Sequence, residues 1–227
     1  MNSQISCLFS NVLFSFEHTI AAMLLKRHDY PWEALGEIGD FICKVGPELD
    51  PSVFENRGDD VYIAKSAKIA PSAHIEGPCI ICEQAEIRHC AFVRGNAIIG
   101  AGAVVGNSTE LKNCILFDAV QVPHYNYVGD SILGYKAHLG AGAVTSNVKS
   151  DKSAVHVKGD GFDLDTGRKK VGAMLGDFVE VGCGAVLCPG TVIGKHSTIY
   201  PLVRVRGVIP ERQIIKSESV MTPKKVN

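Results

Sequence analysis

Large aliphatic side chains recur at every sixth residue over much of this sequence. Steps of six from Ile63 give Ile63, Ile69, Ile75, Ile81, Ile87, Val93, Ile99, Val105 and Leu111 without a miss. Two positions before each of them, from Ile69 onward, stands a small residue: Ala67, Ala73, Cys79, Ala85, Ala91, Ala97, Ala103 and Thr109. With two five-residue steps the ladder continues as Leu116, Val122, Val128, Leu133, Leu139 and Thr145. It resumes as Leu175, Val181, Leu187, Ile193, Ile199 and Val205. Helices repeat at 3.6 residues and strands at 2, so this period suits neither a helix nor a hairpin meander. It suits a solenoid whose short flat sides each bury one aliphatic and turn at a small residue; three sides make a triangular coil.

The ladder also divides the chain. Residues 1–60 lack it and carry two runs with helical spacing. One is capped by Ser15 and covers FEHTIAAMLLKRH; the other is opened by Pro31, covers WEALGEIGDFICKVG and is closed by Gly46. Residues 61–216 form the solenoid. Residues 146–170 interrupt it with a polar stretch expected to project as a loop or hairpin, and residues 217–227 read as a frayed tail.

Composition removes several classes of function. Lys plus Arg is 23 and Asp plus Glu is 24, so no global field collects a polyanion and nucleic acid is not an expected partner. The apolar stretch Ile5–Phe16 is broken by Ser10, Asn11 and Ser15, which fits neither a membrane span nor a signal peptide. Eight scattered cysteines in a chain of this size read as free thiols in a reducing cytoplasm. Cys79 and Cys82 make a CxxC without a second pair, and Cys79 fills a small-residue slot of the ladder. The histidines at 89, 124, 138 and 196 lack a close His-x4-His pair, so no metal is expected.

Register arithmetic points to two places where chemistry can sit. Arg94 and Lys112 each follow a ladder residue, Val93 and Leu111, one coil apart. They therefore stack at about the 4.8 Å strand spacing, where like charges repel and an intervening anion such as a sugar phosphate would settle the conflict. Two long side chains splayed into water is the competing reading. His124 and Ala141 each lie two residues past a ladder residue on adjacent coils, which sets an imidazole beside the Gly140–Gly142 turn. A base beside an N–H donor is what acyl transfer to an amine needs, although a histidine on a β surface is more often structural.

With the hexad on view, the chain resembles the hexapeptide-repeat family, which implies an all-β, left-handed parallel β-helix with a short N-terminal helical segment. Residues 94–152 closely resemble the acetyltransferase half of the N-acetylglucosamine-1-phosphate uridyltransferase/glucosamine-1-phosphate N-acetyltransferase family. The resemblance implies sugar-phosphate binding by Arg94 and Lys112, a catalytic base at His124 and sugar contacts from Tyr127, both in PHYNYVGD. It also implies substrate contacts from Asn147 in GAGAVTSN, Lys152 and His138. The amide of Ala141 would lie over the thioester, and Ala141, Cys183 and Pro201 would line acetyl-CoA. The chain departs from the family at His138 (Asn in the family), Val148 (an aromatic) and Cys183 (Ser). GRKK at 167–170 is like the archaeal members, and equally like a solvated basic loop. Nothing resembles the family's glycine-rich nucleotidyltransferase loop. The implied protein is a homotrimeric acetyl-CoA-dependent N-acetyltransferase of an amino-sugar 1-phosphate or related nucleotide sugar. A scaffold that binds the sugar phosphate without turnover, and an O-acyltransferase of the same fold, are the rivals.

Overall fold

The computed structural model describes residues 3–218 and 220–224, and the ladder becomes the interior of a parallel β-solenoid of about nine turns. Its first side stacks Val61–Ala64, Cys79–Ile81 and Ala97–Ile99, then continues down to Val208–Ile209. Its second side stacks Lys68–Ile69, Glu86–Ile87, Val104–Asn107, Gln121–His124, His138–Leu139, Glu180–Val181 and Thr198–Ile199. The third runs from His74–Glu76 through Phe92–Arg94 and Val144–Thr145 to Arg204–Val205. Two longer strands, Glu110–Leu116 and Tyr127–Leu133, pass unbroken from the third side round a corner to the first.

The two five-residue steps shorten the coil. Glu110 faces Phe92, eighteen residues back, but Tyr127, only seventeen on. Ladder residues from Ile81 to Val205 are buried, as are the small residues Ala85, Ala91, Ala97 and Ala103. Ile69 and Ile75, in the first coil, are half-buried because no coil precedes them on those sides.

The N-terminal segment differs from the two expected helices. The first run breaks into a single turn of 3-10 helix at Phe16–His18 and an α-turn at Ala22–Leu25; the second is a 3-10 helix, Pro31–Gly36, followed by an α-helix, Ile38–Val45. Tertiary partners override local spacing here. Ser15 caps nothing; its backbone N–H and its hydroxyl both donate to Asp177 Oδ2, at 2.9 and 2.7 Å. The His18 carbonyl is taken by the Asp118 amide, and the His18 ring stacks on Tyr135 at 3.6 Å. Trp32, Leu35, Ile38, Phe41 and Ile42 close over the first side.

The polar interruption is a hairpin, His156–Gly159 paired antiparallel with Phe162–Asp165. Val155 and Val157 are buried, and the hairpin lies against the coils below so closely that a Cβ on Gly190 would sit 2.7 Å from the His156 carbonyl oxygen. The tail is not frayed where it is described: Val220–Pro223 pairs antiparallel with Gln213–Ser217 and gives that strand a hydrogen-bonding partner. No described helix is long and apolar enough to cross a membrane.

Candidate functional site

Register places one residue per coil down the corner between the second and third sides. Two residues beyond Val122, Leu139, Val181 and Ile199 lie His124, Ala141, Cys183 and Pro201, a single column. Backbone bonds tie it together: Gly142 N–H donates to the His124 carbonyl (3.0 Å), Gly184 N–H to that of Ala141 (2.8 Å) and Leu202 N–H to that of Cys183 (2.9 Å). These neighbouring amides are used, whereas the Ala141 N–H meets no acceptor among the described residues, and Ala141 is exposed. His124 is exposed, and no described group bonds its ring. The four residues expected to serve the acyl donor and the base therefore share one ridge.

A buried amide holds that ridge. Asn126 accepts from the His124 backbone N–H (3.1 Å) and donates to the Gly140 and Ala143 carbonyls (2.8 and 3.0 Å), so it locks the base's backbone to the turn that presents the free N–H. The sequence reading passed over it. Its signal was an Asn in a column that Ala143 and Ala185 fill on later coils.

Arg94 and Lys112 are strand neighbours on the third side, next to Glu76. Repulsion between them is already relieved from within the chain, contrary to the argument from stacking alone. Arg94 Nη1 lies 2.6 Å from Glu110 Oε1, and Lys112 Nζ lies 3.5 Å from Asp130 Oδ2. Each of the two cations thus has a carboxylate of its own, with Glu76 beside Arg94 as a third acid on this surface. It is suited to a ligand that brings both signs, such as an amine and a phosphate. Glu110 and Asp130 were also missed by the sequence reading.

Tyr127 and Asn147 join this group. Asn147 Nδ2 donates to Tyr127 Oη (3.2 Å) and to Asp130 Oδ2 (2.5 Å). Burial, and then the nearby Asp130 and Glu110 charges, push the Tyr127 phenol above its ordinary range while the Asn147 contact works the other way, so Tyr127 offers a proton rather than a phenolate. His124 stands three residues ahead of Tyr127, round the corner from it.

Two expected residues lie apart. His138 is on the second side, with Nδ1 2.9 Å from Glu180 Oε2, and Lys152 sits on the loop leading to the hairpin with no side-chain partner among the described residues. One chain does not bring them onto the third side. Cys79 and Cys82 are buried; burial lifts the Cys79 thiol to about 12 and raises Cys82 further. No group of three potential metal ligands occurs among the described residues.

This repeat and topology define a hexapeptide-repeat parallel β-solenoid, and its fold class is the left-handed β-helix. A family model described as the GMPPB C-terminal domain matches residues 75–163. The bifunctional protein GlmU of Methanococcus maripaludis is 33% identical over 202 residues, covering 87% of this chain and 49% of that protein. A bifunctional sugar-1-phosphate nucleotidylyltransferase/acetyltransferase of Sulfurisphaera tokodaii is 33% identical over 159 residues, with 62% and 40% covered. The chain thus spans about half the length, or less, of these relatives. The acetyltransferase domain of PglB from Neisseria gonorrhoeae overlays at a TM-score of 0.36 with 19% identity, covering 73% of this chain and 58% of that one. The homologues of this chain are sugar-1-phosphate acetyltransferases and hexapeptide acetyltransferases.

Proposed function

We propose that the protein is an acetyl-CoA-dependent N-acetyltransferase acting on an amino-sugar 1-phosphate or a related nucleotide sugar. The observation that carries this reading is the free Ala141 N–H next to the unbonded His124 ring, on a ridge bordering the Arg94, Lys112, Tyr127 and Asn147 surface. The neutral amine attacks the thioester carbonyl; the C–N bond forms, the Ala141 N–H donates to the oxyanion and His124 takes the proton from nitrogen. Collapse expels the thiolate of CoA. Arg94 and Lys112 hold the phosphate, and Cys183 and Pro201 continue the ridge along which the acyl donor lies.

His138 and Lys152 enter only if a neighbouring subunit supplies them, so the proposal includes a homotrimer with sites between chains. Cys43, Cys79, Cys82, Cys90, Cys114, Cys183 and Cys188 form no disulfide, in keeping with a cytoplasmic protein. Thiol release from acetyl-CoA with a panel of amino-sugar 1-phosphates tests the activity; no release with any of them defeats it. Mixed trimers of His124→Ala and Lys152→Ala chains should regain part of the activity, and no recovery counts against shared sites.

A further inference from the structure

One corner of the solenoid, between the third and first sides, is a ladder of short polar side chains. Asn96, Asn113, Asp130 and Asn147 follow one another at seventeen-residue intervals and occupy the same register position on four successive coils. Asn96, Asn113 and Asp130 adopt positive φ (48°, 49° and 47°), a left-handed conformation that Asn and Asp tolerate better than other residues with side chains. Three rungs are amides. The third is a carboxylate, buried to 4% exposure.

That substitution of an acid for an amide has a directional consequence. An ionised carboxylate only accepts, so the amides above and below must both turn their NH2 groups toward it. Asn113 Nδ2 donates to Oδ1 at 2.9 Å and Asn147 Nδ2 to Oδ2 at 2.5 Å, with Lys112 Nζ at 3.5 Å from the same Oδ2. Asn147 Nδ2 has its second donor on Tyr127 Oη. Both of its N–H donors are thus engaged within the chain, and its Oδ1 takes no hydrogen bond from any described group.

We propose that Asp130 is a positioning residue that fixes which end of the Asn147 amide meets the substrate, presenting Oδ1 as an acceptor, and holds Lys112 beside it. With Asn at position 130 the rung both donates and accepts, either orientation of Asn147 finds a partner, and the acceptor is no longer guaranteed. The specificity that follows is for a substrate hydroxyl or amine that donates at this point. The inference builds on the acetyltransferase reading for its kinetic readout, so the test carries a second readout independent of it.

Asp130→Asn is nearly isosteric and keeps a residue suited to positive φ. The side-chain NH2 signals of Asn147, assigned by their loss in Asn147→Ala, should be slow to exchange and separated in the unmutated protein. In Asp130→Asn they should exchange at least tenfold faster. In turnover, Asp130→Asn should raise the KM for the amino-sugar phosphate at least tenfold and leave the KM for acetyl-CoA within twofold. Added to Asn147→Ala, it should cost less than threefold more, because both changes remove one arrangement. Unmoved Asn147 signals, equal changes in both KM values, or multiplicative effects in the double variant would each overturn the proposal. If the unmutated protein turns over no amino sugar, the acetyltransferase reading fails, and the Asn147 signals alone decide the role of Asp130.

Discussion

Lys112→Ala separates an argument from stacked charges from one that counts partners. If Arg94 and Lys112 merely repelled each other, removing one would stabilise the ligand-free protein. The structure gives the opposite sign, because Lys112 is the only cation placed against Asp130 among the described residues, and the Asp130 side chain is 5% exposed while that of Lys112 is 26% exposed. A fully exposed pair contributes up to about 1 kcal/mol, whereas stripping the partner from a buried charge costs about 3–5 kcal/mol. The 3.5 Å separation and the two amides that still bond Asp130 put this case between them, at about 1–2 kcal/mol. For a chain of this length each kcal/mol moves the melting temperature by about 2–4 °C, so Lys112→Ala should melt about 2–8 °C lower by calorimetry without ligand. Arg94→Ala, which breaks a more exposed pair with Glu110 and a contact with the Phe92 ring, should shift it less. Both should weaken binding of glucosamine 1-phosphate about ten- to hundredfold, measured by titration calorimetry. A ligand-free Lys112→Ala protein that melts at or above the unmutated one would refute the pairing with Asp130.

Three other outcomes are expected. His124→Ala should lower kcat by about 10²–10⁴-fold in the thiol-release assay and change the KM of the sugar phosphate only a few-fold. Asp177→Ala removes a fully buried carboxylate that holds Ser15, the Tyr135 amide and Lys195. It should cost about 3–5 kcal/mol and open the segment before residue 20 to limited proteolysis, detected by mass spectrometry. Cys79, Cys82 and Cys114 have thiols raised by burial, so at pH 8 they carry almost no thiolate. A thiol reagent should label the exposed Cys43, Cys90 and Cys183 first and reach Cys79, Cys82 and Cys114, three of the four buried cysteines, only on unfolding.

The solenoid was legible because each coil repeats one packing problem: an aliphatic inside and a small residue at the turn. Columns were legible wherever the ladder supplied a ruler, which is how His124, Ala141 and the Arg94–Lys112 pair emerged. The helical segment was not, since Ser15 and His18 answer to Asp177, Asp118 and Tyr135, residues a hundred or more positions away. Asp130 escaped for a different reason. The ladder was tracked through its aliphatic positions, and Asp130 belongs to a polar corner whose period is seventeen, a number set by the shortened coils. Steps of seventeen from Asn96 would have found it.

The hairpin enters and leaves the solenoid without disturbing its count. On the second and third sides, His138 faces Glu180 and Val144 faces Val186, the same offset of forty-two residues, and on the first side Ile132 faces Met174 with that offset again. All three walls skip the excursion equally, so the coils above and below would meet in phase if it were replaced by an ordinary corner. The segment that brings Lys152 and adjoins Asn147 is in this sense an exchangeable cassette. Its length is independent of the coil register that presents His124 and Ala141, while the buried Val155 and Val157 tie it to the coils it covers.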